Sequence, residues 1–375
     1  MKYEIKNHRY TISDNLAANA LVVGFSKKIE LLELESNLAA VKQLIPLLNT
    51  HLDFKDNTYF FNEDFDGFNY KIDQCSNINA WLTKQYNNPL DLENGEFLRI
   101  ALYNNSTLII FAHTIISDSR GLVNLAKALI LGVDDFEFIY TQDDDAKVNF
   151  INKLRVRKYK KLEQEQTEIE SVGKIKIKKI TLKSNLIFNL CSSNGVSLLS
   201  FFITVALSLS KSVRKEICIP FCSKTQDNIV LVNDSSNIKF KRGLEPRLSF
   251  YDNCSQLDKL FKSFIKYKPY LLRNSFLNNI SPKVIDNPFS NKTYAKLLHS
   301  DLLFDALPTV ENDKILTTMS FYPSSSFISN SFGVSIIDDK ITICSILHDK
   351  EGEQLFSSYQ QTINLLSKNA DVHVK

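Results

Sequence analysis

The segment Leu108–Leu122, LIIFAHTIISDSRGL, constrains the fold of this chain more than any other stretch. It begins with an apolar run that is typical of a buried strand. A polar turn follows, in which His113 and Asp118 are the residues able to take up and release protons. Beyond the turn, apolar residues recur at helical spacing, and Gly132 is placed to end the helix. The segment therefore predicts a buried strand that leads through a tight polar turn directly into a helix.

Flanking patterns place this unit inside a sheet. Phe97–Tyr103 and Thr107–Ile116 are two β-rich runs joined at Asn104-Asn105-Ser106, which predicts a hairpin or a tight meander. Upstream, Ile29–Leu44 has the apolar spacing of an amphipathic helix that ends at Pro46. The first half of the chain thus mixes helices and strands.

The second half has the same mixed character. Ser184 is the expected N-cap of a helix over Asn185–Cys191 that stops at Asn194-Gly195, and Ser197 is the expected N-cap of an entirely apolar, buried helix. The predicted elements are helices over Leu198–Leu209, Leu257–Tyr267 and Gln354–Leu366, a strand over Glu216–Cys222, and a hairpin of Gly333–Ile337 with Ile341–Leu347. An α/β or α+β class with two similar lobes follows.

Composition excludes several classes of function. The net charge is +3 in 375 residues, which indicates neither nucleic-acid nor membrane binding. The longest apolar run, Val196–Leu209, is shorter than the about 20 residues that cross a bilayer. Neither the six cysteines nor the six histidines form a local metal-binding pattern, so no metal site is expected. Met1–Phe25 lacks a secretory layout, and a cytoplasmic protein with cysteines in its core is predicted.

The stretch Asp143–Lys179 is the expected crossover between the two halves. An acidic triplet precedes a basic cluster at Lys153–Lys161, and Lys174–Lys178 alternates as a strand with one charged face. The basic cluster has two interpretations: a solvated connection, or a surface for an acidic carrier protein or for the phosphates of CoA.

The strand–turn–helix resembles the His-His-x-x-x-Asp-Gly motif of the CoA-dependent acyltransferase superfamily, and most closely that of the condensation domains of non-ribosomal peptide synthetases. His113 takes the place of the first histidine, Thr114 that of the second and Asp118 that of the aspartate. Three further segments are similar to conserved stretches of condensation domains, in the same order along the chain: Ile45–Thr50, Pro89–Arg99 and Gly195–Ser200.

The resemblance implies two chloramphenicol-acetyltransferase-like lobes in a V around a central tunnel. The lobes would be residues 1–145 and 180–375, with 146–179 as the crossover. It also implies that the motif lies in the tunnel, with His113, Thr114 and Asp118 as site residues. The donor would be an acyl-CoA or a phosphopantetheinyl carrier protein, acting as substrate rather than as a bound cofactor. A small-molecule amine or alcohol would be the acceptor.

Three positions depart from the family's pattern. Threonine at 114 cannot take up a proton as the family's histidine does, because its hydroxyl only donates or accepts hydrogen bonds. Asn49 stands where the family often has an arginine that pairs with the motif aspartate. Ser119 replaces the motif glycine. Ser117 and Ser119 are interpreted as turn residues, since no nucleophile elbow surrounds them.

The site residues keep several interpretations. His113 is a structural histidine pointing away from the tunnel, a base brought into it by a bulge or a one-residue shift, or a satisfied core histidine in an unrelated fold. Thr114 is a passive strand residue or a group that orients substrate or water, and Asp118 mainly holds the turn.

Two function hypotheses follow: a free-standing acyltransferase of secondary metabolism, and a catalytically dead scaffold that recruits a carrier-bound intermediate or a partner enzyme. Cyclisation or elimination in the same tunnel is a third.

Overall fold

The fold was analysed in a computed structural model. It describes residues 2–4, 12, 14, 17–55, 58–62, 67–138, 175–209, 214–222, 229–230, 235–267, 298–307, 309–311, 313–348 and 350–373. The acidic triplet and the basic cluster Lys153–Lys161 lie outside these residues, as does most of the expected crossover.

The described residues form seven α-helices and sixteen strands. The helices are α1 (Leu31–Leu44), α2 (Ile78–Tyr86), α3 (Ser119–Leu131), α4 (Ser184–Ser193), α5 (Leu198–Leu209), α6 (Phe250–Tyr267) and α7 (Lys350–His373). The strands are β1 (Lys2–Glu4), β2 (Ala18–Phe25), β3 (His51–Lys55), β4 (Thr58–Asn62), β5 (Ile72–Gln74), β6 (Leu98–Tyr103), β7 (Thr107–His113), β8 (Glu137–Phe138), β9 (Lys176–Lys183), β10 (Lys215–Cys222), β11 (Ile229–Val230), β12 (Ser235–Arg242), β13 (Ser300–Ala306), β14 (Leu316–Tyr322), β15 (Ile328–Ile337) and β16 (Lys340–Leu347). This mixture of elements confirms the predicted α/β class.

A five-stranded sheet, which we call the first sheet, holds the motif strand at its centre in the order β14-β2-β7-β6-β5. The predicted hairpin is confirmed, because β6 and β7 pair antiparallel from Leu98 with Ala112 to Tyr103 with Thr107. Asn104 and Asn105 close it with φ angles of 49° and 51°. Asparagine tolerates this left-handed region better than most residues, which explains why two of them stand at the turn.

A six-stranded sheet, the second sheet, has the order β12-β10-β13-β15-β16-β9. Its centre is a parallel pair, β13 with β15, in which Asp305 lies opposite Gly333. The predicted terminal hairpin is confirmed as β15 with β16, and the alternating lysine stretch continues into β9 at the edge of this sheet.

Most predicted helices are present, with one wrong cap. α1 ends at Leu44 as predicted and begins two residues later than expected, at Leu31. α3 follows the motif turn, and Gly132 ends it as predicted, with a φ of 89°. Ser197 caps α5 as expected, since its hydroxyl accepts from the Ser200 N–H at 3.2 Å. Ser184 is not the N-cap of α4: it is the first helical residue, and Lys183 precedes it without a side-chain cap. The backbone N–H of Ser184 instead donates to the Asp339 carbonyl at 2.7 Å, because the turn between β15 and β16 lies against the helix start.

Three hydrophobic clusters organise the interior. One packs α1 and α3 against the first sheet, and one packs the helices of the second half against the second sheet. The third, which we call the seam cluster, joins the two sheets. It contains Ile109 and Phe111 of the first sheet, Cys344 and Ile346 of the second, and Tyr86 of α2. The two sheets therefore bury apolar side chains against one another.

One strand from the second half crosses into the first sheet. β14 pairs antiparallel with β2, and it passes close to β15, where a Cβ on Gly333 would lie 2.0 Å from the Phe321 carbonyl oxygen. Only glycine allows the two backbones to approach so closely. The division into lobes at residues 145 and 180 stays a prediction; β9 spans the second of these boundaries.

Four cysteines are buried, as predicted, at positions 191, 218, 254 and 344. Within the described part of the chain, no single helix is both long and apolar enough to cross a membrane. α4 and α5 meet that test only when taken together, and they are bent by 93° at the break between them.

Candidate active site

The motif strand β7 runs in an unbroken register to its last residue. It pairs with β2 from Thr107 opposite Gly24 to His113 opposite Ala18. The His113 N–H donates to the Phe97 carbonyl at 2.9 Å. No residue shift intervenes, so the bulge that would re-aim His113 is absent from this described pairing.

His113 lies on the side of β7 that faces the second sheet. Side chains alternate along a strand, and His113 therefore shares the face of Ile109 and Phe111, two members of the seam cluster. Its imidazole is buried, and its Nδ1 accepts a hydrogen bond from the Ile115 N–H at 3.1 Å.

This hydrogen bond limits what His113 can do. A neutral imidazole has one nitrogen that can accept a hydrogen bond or a proton. Because the Ile115 N–H donates to Nδ1, Nδ1 is that nitrogen in His113, and this contact assigns the tautomer. The proton then resides on Nε2, which cannot accept another. The arrangement favours the structural interpretation, in which His113 holds the turn that follows β7.

Thr114 begins that turn. It is half-buried, and its N–H donates to the Ala17 carbonyl at 2.8 Å. Its side chain offers a hydroxyl but no base in the slot that the family's second histidine fills.

Asp118 is the N-cap of α3. Its Oδ1 accepts from the Gly121 N–H at 2.8 Å, which satisfies one of the amides that a helix start leaves without an intrahelical partner. The side chain is buried. This capping role matches the expectation that Asp118 holds the turn.

A second carboxylate, which the sequence reasoning missed, lies beside the motif. Asp305 of β13 is buried, and its Oδ1 accepts from the Ser119 hydroxyl at 3.4 Å. Burial first, and then repulsion from Asp118, raise the pKa of Asp305 to about 7, although the Ser119 hydroxyl and the Ala306 N–H act in the opposite direction. The motif turn and the second sheet thus bring two carboxylates together at the start of α3.

One sequence signal could have identified Asp305. It lies in Leu302–Leu307, where it is the single charged residue in an apolar strand. Aspartate is rarely buried without a specific partner. The signal marks a buried acid but does not indicate its neighbour, because Ser119 lies 186 residues away in sequence.

Asn49 does not take over the role of the family's arginine through its amide, which donates to the Lys42 carbonyl at 2.7 Å. Arg99, the last residue of another family-like segment, anchors the loop before β6. It binds both carboxylate oxygens of Glu96 at 2.6 and 2.7 Å and the carbonyls of Asn88 and Pro89 at 2.6 and 3.0 Å. Both side chains therefore hold neighbouring loops of the first half in place.

No protein-family model matches this chain, and no curated protein matches it significantly in a search. Solved structures do match it over nearly the whole length. The first condensation domain of the CDA synthetase has a TM-score of 0.68 at 11% identity, covering 96% of this chain and 92% of that one. A mutant starter condensation domain of rhizomide synthetase, in complex with C8-CoA, has a TM-score of 0.65 at 12% identity, covering 96% and 91%. Polyketide synthase associated protein 5 from Mycobacterium tuberculosis has a TM-score of 0.62 at 11% identity, covering both chains fully (100%).

The chain has the fold of condensation domains. This confirms the fold that the motif region predicted. At 10–12% identity the matches to condensation domains establish the fold alone, so the chemistry depends on the residues of this chain. The V shape and the tunnel stay predictions.

Proposed function

We propose that this protein is a free-standing condensation-like acyltransferase of secondary metabolism. It would transfer an acyl group from a CoA or carrier-protein thioester to the amine or hydroxyl of a small molecule. The observation that carries the proposal is the position of the motif turn, which lies at the seam between two sheets of a condensation fold and contacts the second sheet through Ser119 and Asp305. That seam is where the family's fold implies that donor and acceptor meet.

Two features of the turn suit acyl transfer. The start of α3 presents backbone N–H groups and the positive end of a helix dipole, which stabilise developing negative charge on a thioester oxygen. Holding donor and acceptor together also lowers the barrier, because an oriented pair reacts as a single molecule; this effect is worth about 7–11 kcal/mol when the alignment is good. Neither feature requires a histidine at position 114.

The scaffold hypothesis has its own observations. Thr114 replaces the family's base, and the Nδ1 of His113 is engaged by the Ile115 amide at 3.1 Å. A fold that kept its shape and lost its base would bind a carrier-bound intermediate without turning it over. Asp305 favours the enzyme, because burial and Asp118 raise its pKa to about 7 and so leave a proton-accepting group beside the turn.

The test is an incubation of the full chain with acyl-CoA and acyl-carrier donors and a panel of amines and alcohols. Release of free thiol together with a new amide or ester, detected by mass spectrometry, is the expected result. His113→Ala should lower turnover by loosening the turn. Lys340→Ala is the control, because this exposed residue is the first of β16, next to the turn that follows β15. The enzyme would be refuted if the native chain forms no more product than buffer alone and His113→Ala forms as much product as the native chain.

A second experiment separates the two hypotheses. The double variant Thr114→His, Asn49→Arg restores the family's residues at both positions. If products form only in the double variant, the native chain is a scaffold. If the native chain already forms products, the scaffold hypothesis fails.

A further inference from the structure

We propose that Ser119 and Asp305 together form the proton-accepting pair of this site, in place of the family's second histidine. Ser119 would contact the acceptor substrate, and Asp305 would hold the proton that the acceptor releases. The inference rests on the proposed acyl transfer, and it names the residues that make this transfer work without an imidazole at position 114.

The geometry of the motif turn supports the pair. Ser119 stands where the family has glycine, so this chain has gained a hydroxyl one residue after Asp118. That hydroxyl is half-buried and donates to Asp305 Oδ1 at 3.4 Å. The contact is long for an O–H···O hydrogen bond, but hydrogen bonds between catalytic groups often tighten only when substrate binds. Asp305 itself is buried, and the serine provides its route to a substrate.

The electrostatic environment of Asp305 also supports the pair. A general base works best when its pKa lies near the working pH. Burial and the Asp118 carboxylate raise the pKa of Asp305 to about 7, whereas a solvated aspartate would be too weak a base. The carboxylate of Asp118 is the charged group that acts on Asp305 from the turn before α3. The residue opposite Asp305 on β15 is Gly333, which has no side chain that could carry a charge. In the next strand, Cys344 stays neutral, because burial raises its pKa to about 11.

An independent observation indicates that a polar ligand group belongs here. Ser331 pairs with Leu303 and Gly333 with Asp305, so Ser331 and Asp305 project from the same face of the second sheet. Ser331 is 2% exposed, and its hydroxyl has no hydrogen-bond partner among the described residues.

The Ser324 hydroxyl is also buried, with the residue 4% exposed, and lacks a partner within the same described set. It follows Pro323, whose ring approaches the Cβ position of Gly333. Buried hydroxyls are nearly always hydrogen-bonded, and leaving one without a partner costs about 1–3 kcal/mol. The polar groups of a bound substrate would satisfy both hydroxyls.

The proton transfers balance over one cycle. The acceptor nitrogen or oxygen attacks the thioester carbon and forms a bond to it, while its proton passes to Ser119 Oγ and the serine's own proton passes to Asp305. Collapse of the tetrahedral intermediate then breaks the carbon–sulfur bond. The leaving thiolate takes the proton back from Asp305 through Ser119, and both residues return to their starting states.

Kinetics on the full chain test the pair. Ser119→Ala and Asp305→Asn should each lower kcat about 100-fold, the lower end of the contribution of a general base. The double variant should lose no more than either single one, because the two residues act as a unit. Ser119→Thr keeps the hydroxyl and should restore turnover. Asp339→Asn is the matched control, since it removes a carboxylate from an exposed turn.

The pH profile separates a proton-accepting role from a structural one. In the native chain kcat/KM should rise with pH through an apparent pKa near 7, the value to which burial and Asp118 raise the pKa of Asp305, and Asp305→Asn should lose this rise. An unchanged profile in Asp305→Asn, or full turnover in Ser119→Ala, would overturn the pair and leave the acyltransferase intact.

A measurement of the Asp305 carboxyl group itself tests the pair even if the native chain shows no turnover. Infrared spectroscopy should detect a protonated carboxyl group at pH 6 that disappears above pH 8 and is missing in Asp305→Asn. If the carboxyl is already ionised at pH 5, the pair fails. If it titrates as expected and the native chain turns over no donor, the proposed function fails and the catalytic role of the pair fails with it.

Discussion

Replacing Asp305 with asparagine should change how the stability of this protein depends on pH. Burial, and secondarily Asp118, raise the pKa of Asp305 from 3.8 to about 7. Between these two values the folded chain keeps the proton, whereas the unfolded chain releases it. The free energy of unfolding of the native chain therefore falls as the pH rises through this window. The stabilising contribution is complete below the unfolded value and lost above the folded one.

The size of the effect follows from the shift. At about 1.4 kcal/mol per pKa unit, a rise from 3.8 to about 7 corresponds to roughly 4 kcal/mol. Asparagine has nearly the same shape, can still accept from Ser119 and cannot ionise. The variant should therefore lack this loss, and it should gain stability relative to the native chain as the pH increases from 4 to 8.

Urea unfolding at a series of pH values measures the difference. Trp81, the only tryptophan of the chain, is a buried member of the seam cluster, and its fluorescence reports on the region where the two sheets meet; circular dichroism provides a second probe. The free energies of unfolding of Asp305→Asn and the native chain should diverge by roughly 4 kcal/mol between pH 4 and 8. Asp339→Asn, in an exposed turn, should run parallel to the native chain. Parallel curves for Asp305→Asn would refute the argument that Asp305 holds a proton in the fold.

Substitutions at three further positions, each with a comparison variant, test the frame around the site. Asp118→Ala removes the cap on the Gly121 N–H and should lower the free energy of unfolding by about 1 kcal/mol, whereas Asp118→Asn keeps a capping oxygen and should cost less; equal losses would contradict the capping role. Arg99→Ala breaks the paired contact with Glu96 and should cost roughly 1.5–3 kcal/mol in a urea titration. Arg99→Lys should recover only part of this loss, because lysine lacks the planar fork. Gly333→Ala places a Cβ 2.0 Å from the Phe321 carbonyl oxygen and should lower the free energy of unfolding by about 3 kcal/mol or more. Gly195 has a φ of 63° and open space around it, so Gly195→Ala should lower this free energy by only about 1 kcal/mol. Similar melting temperatures for the two glycine variants would refute the close approach of β14 and β15.

Local patterns in the sequence determined the elements around the motif. Asn104-Asn105 predicted the hairpin because asparagine tolerates positive φ, and the φ angles of both residues are positive. Asp118 and Gly132 bracket α3 as cap and stop. These features depend on neighbours within a few residues, so they can be predicted from the sequence alone. Ser184 shows the limit of such reasoning: it resembles an N-cap, but a turn more than 150 residues away takes its N–H.

Only the tertiary structure decided what surrounds the motif. Ser119 contacts Asp305 across 186 residues, and β14, a strand of the second half, pairs with β2 in the first sheet. No local sequence pattern predicts either contact. The pKa of Asp305 depends on burial and on Asp118, which are properties of the packed seam. The φ angles of turns and the hydrogen bonds of helix caps are set by near neighbours along the chain. Long-range contacts, desolvation and charge repulsion are set by the segments that the fold brings together.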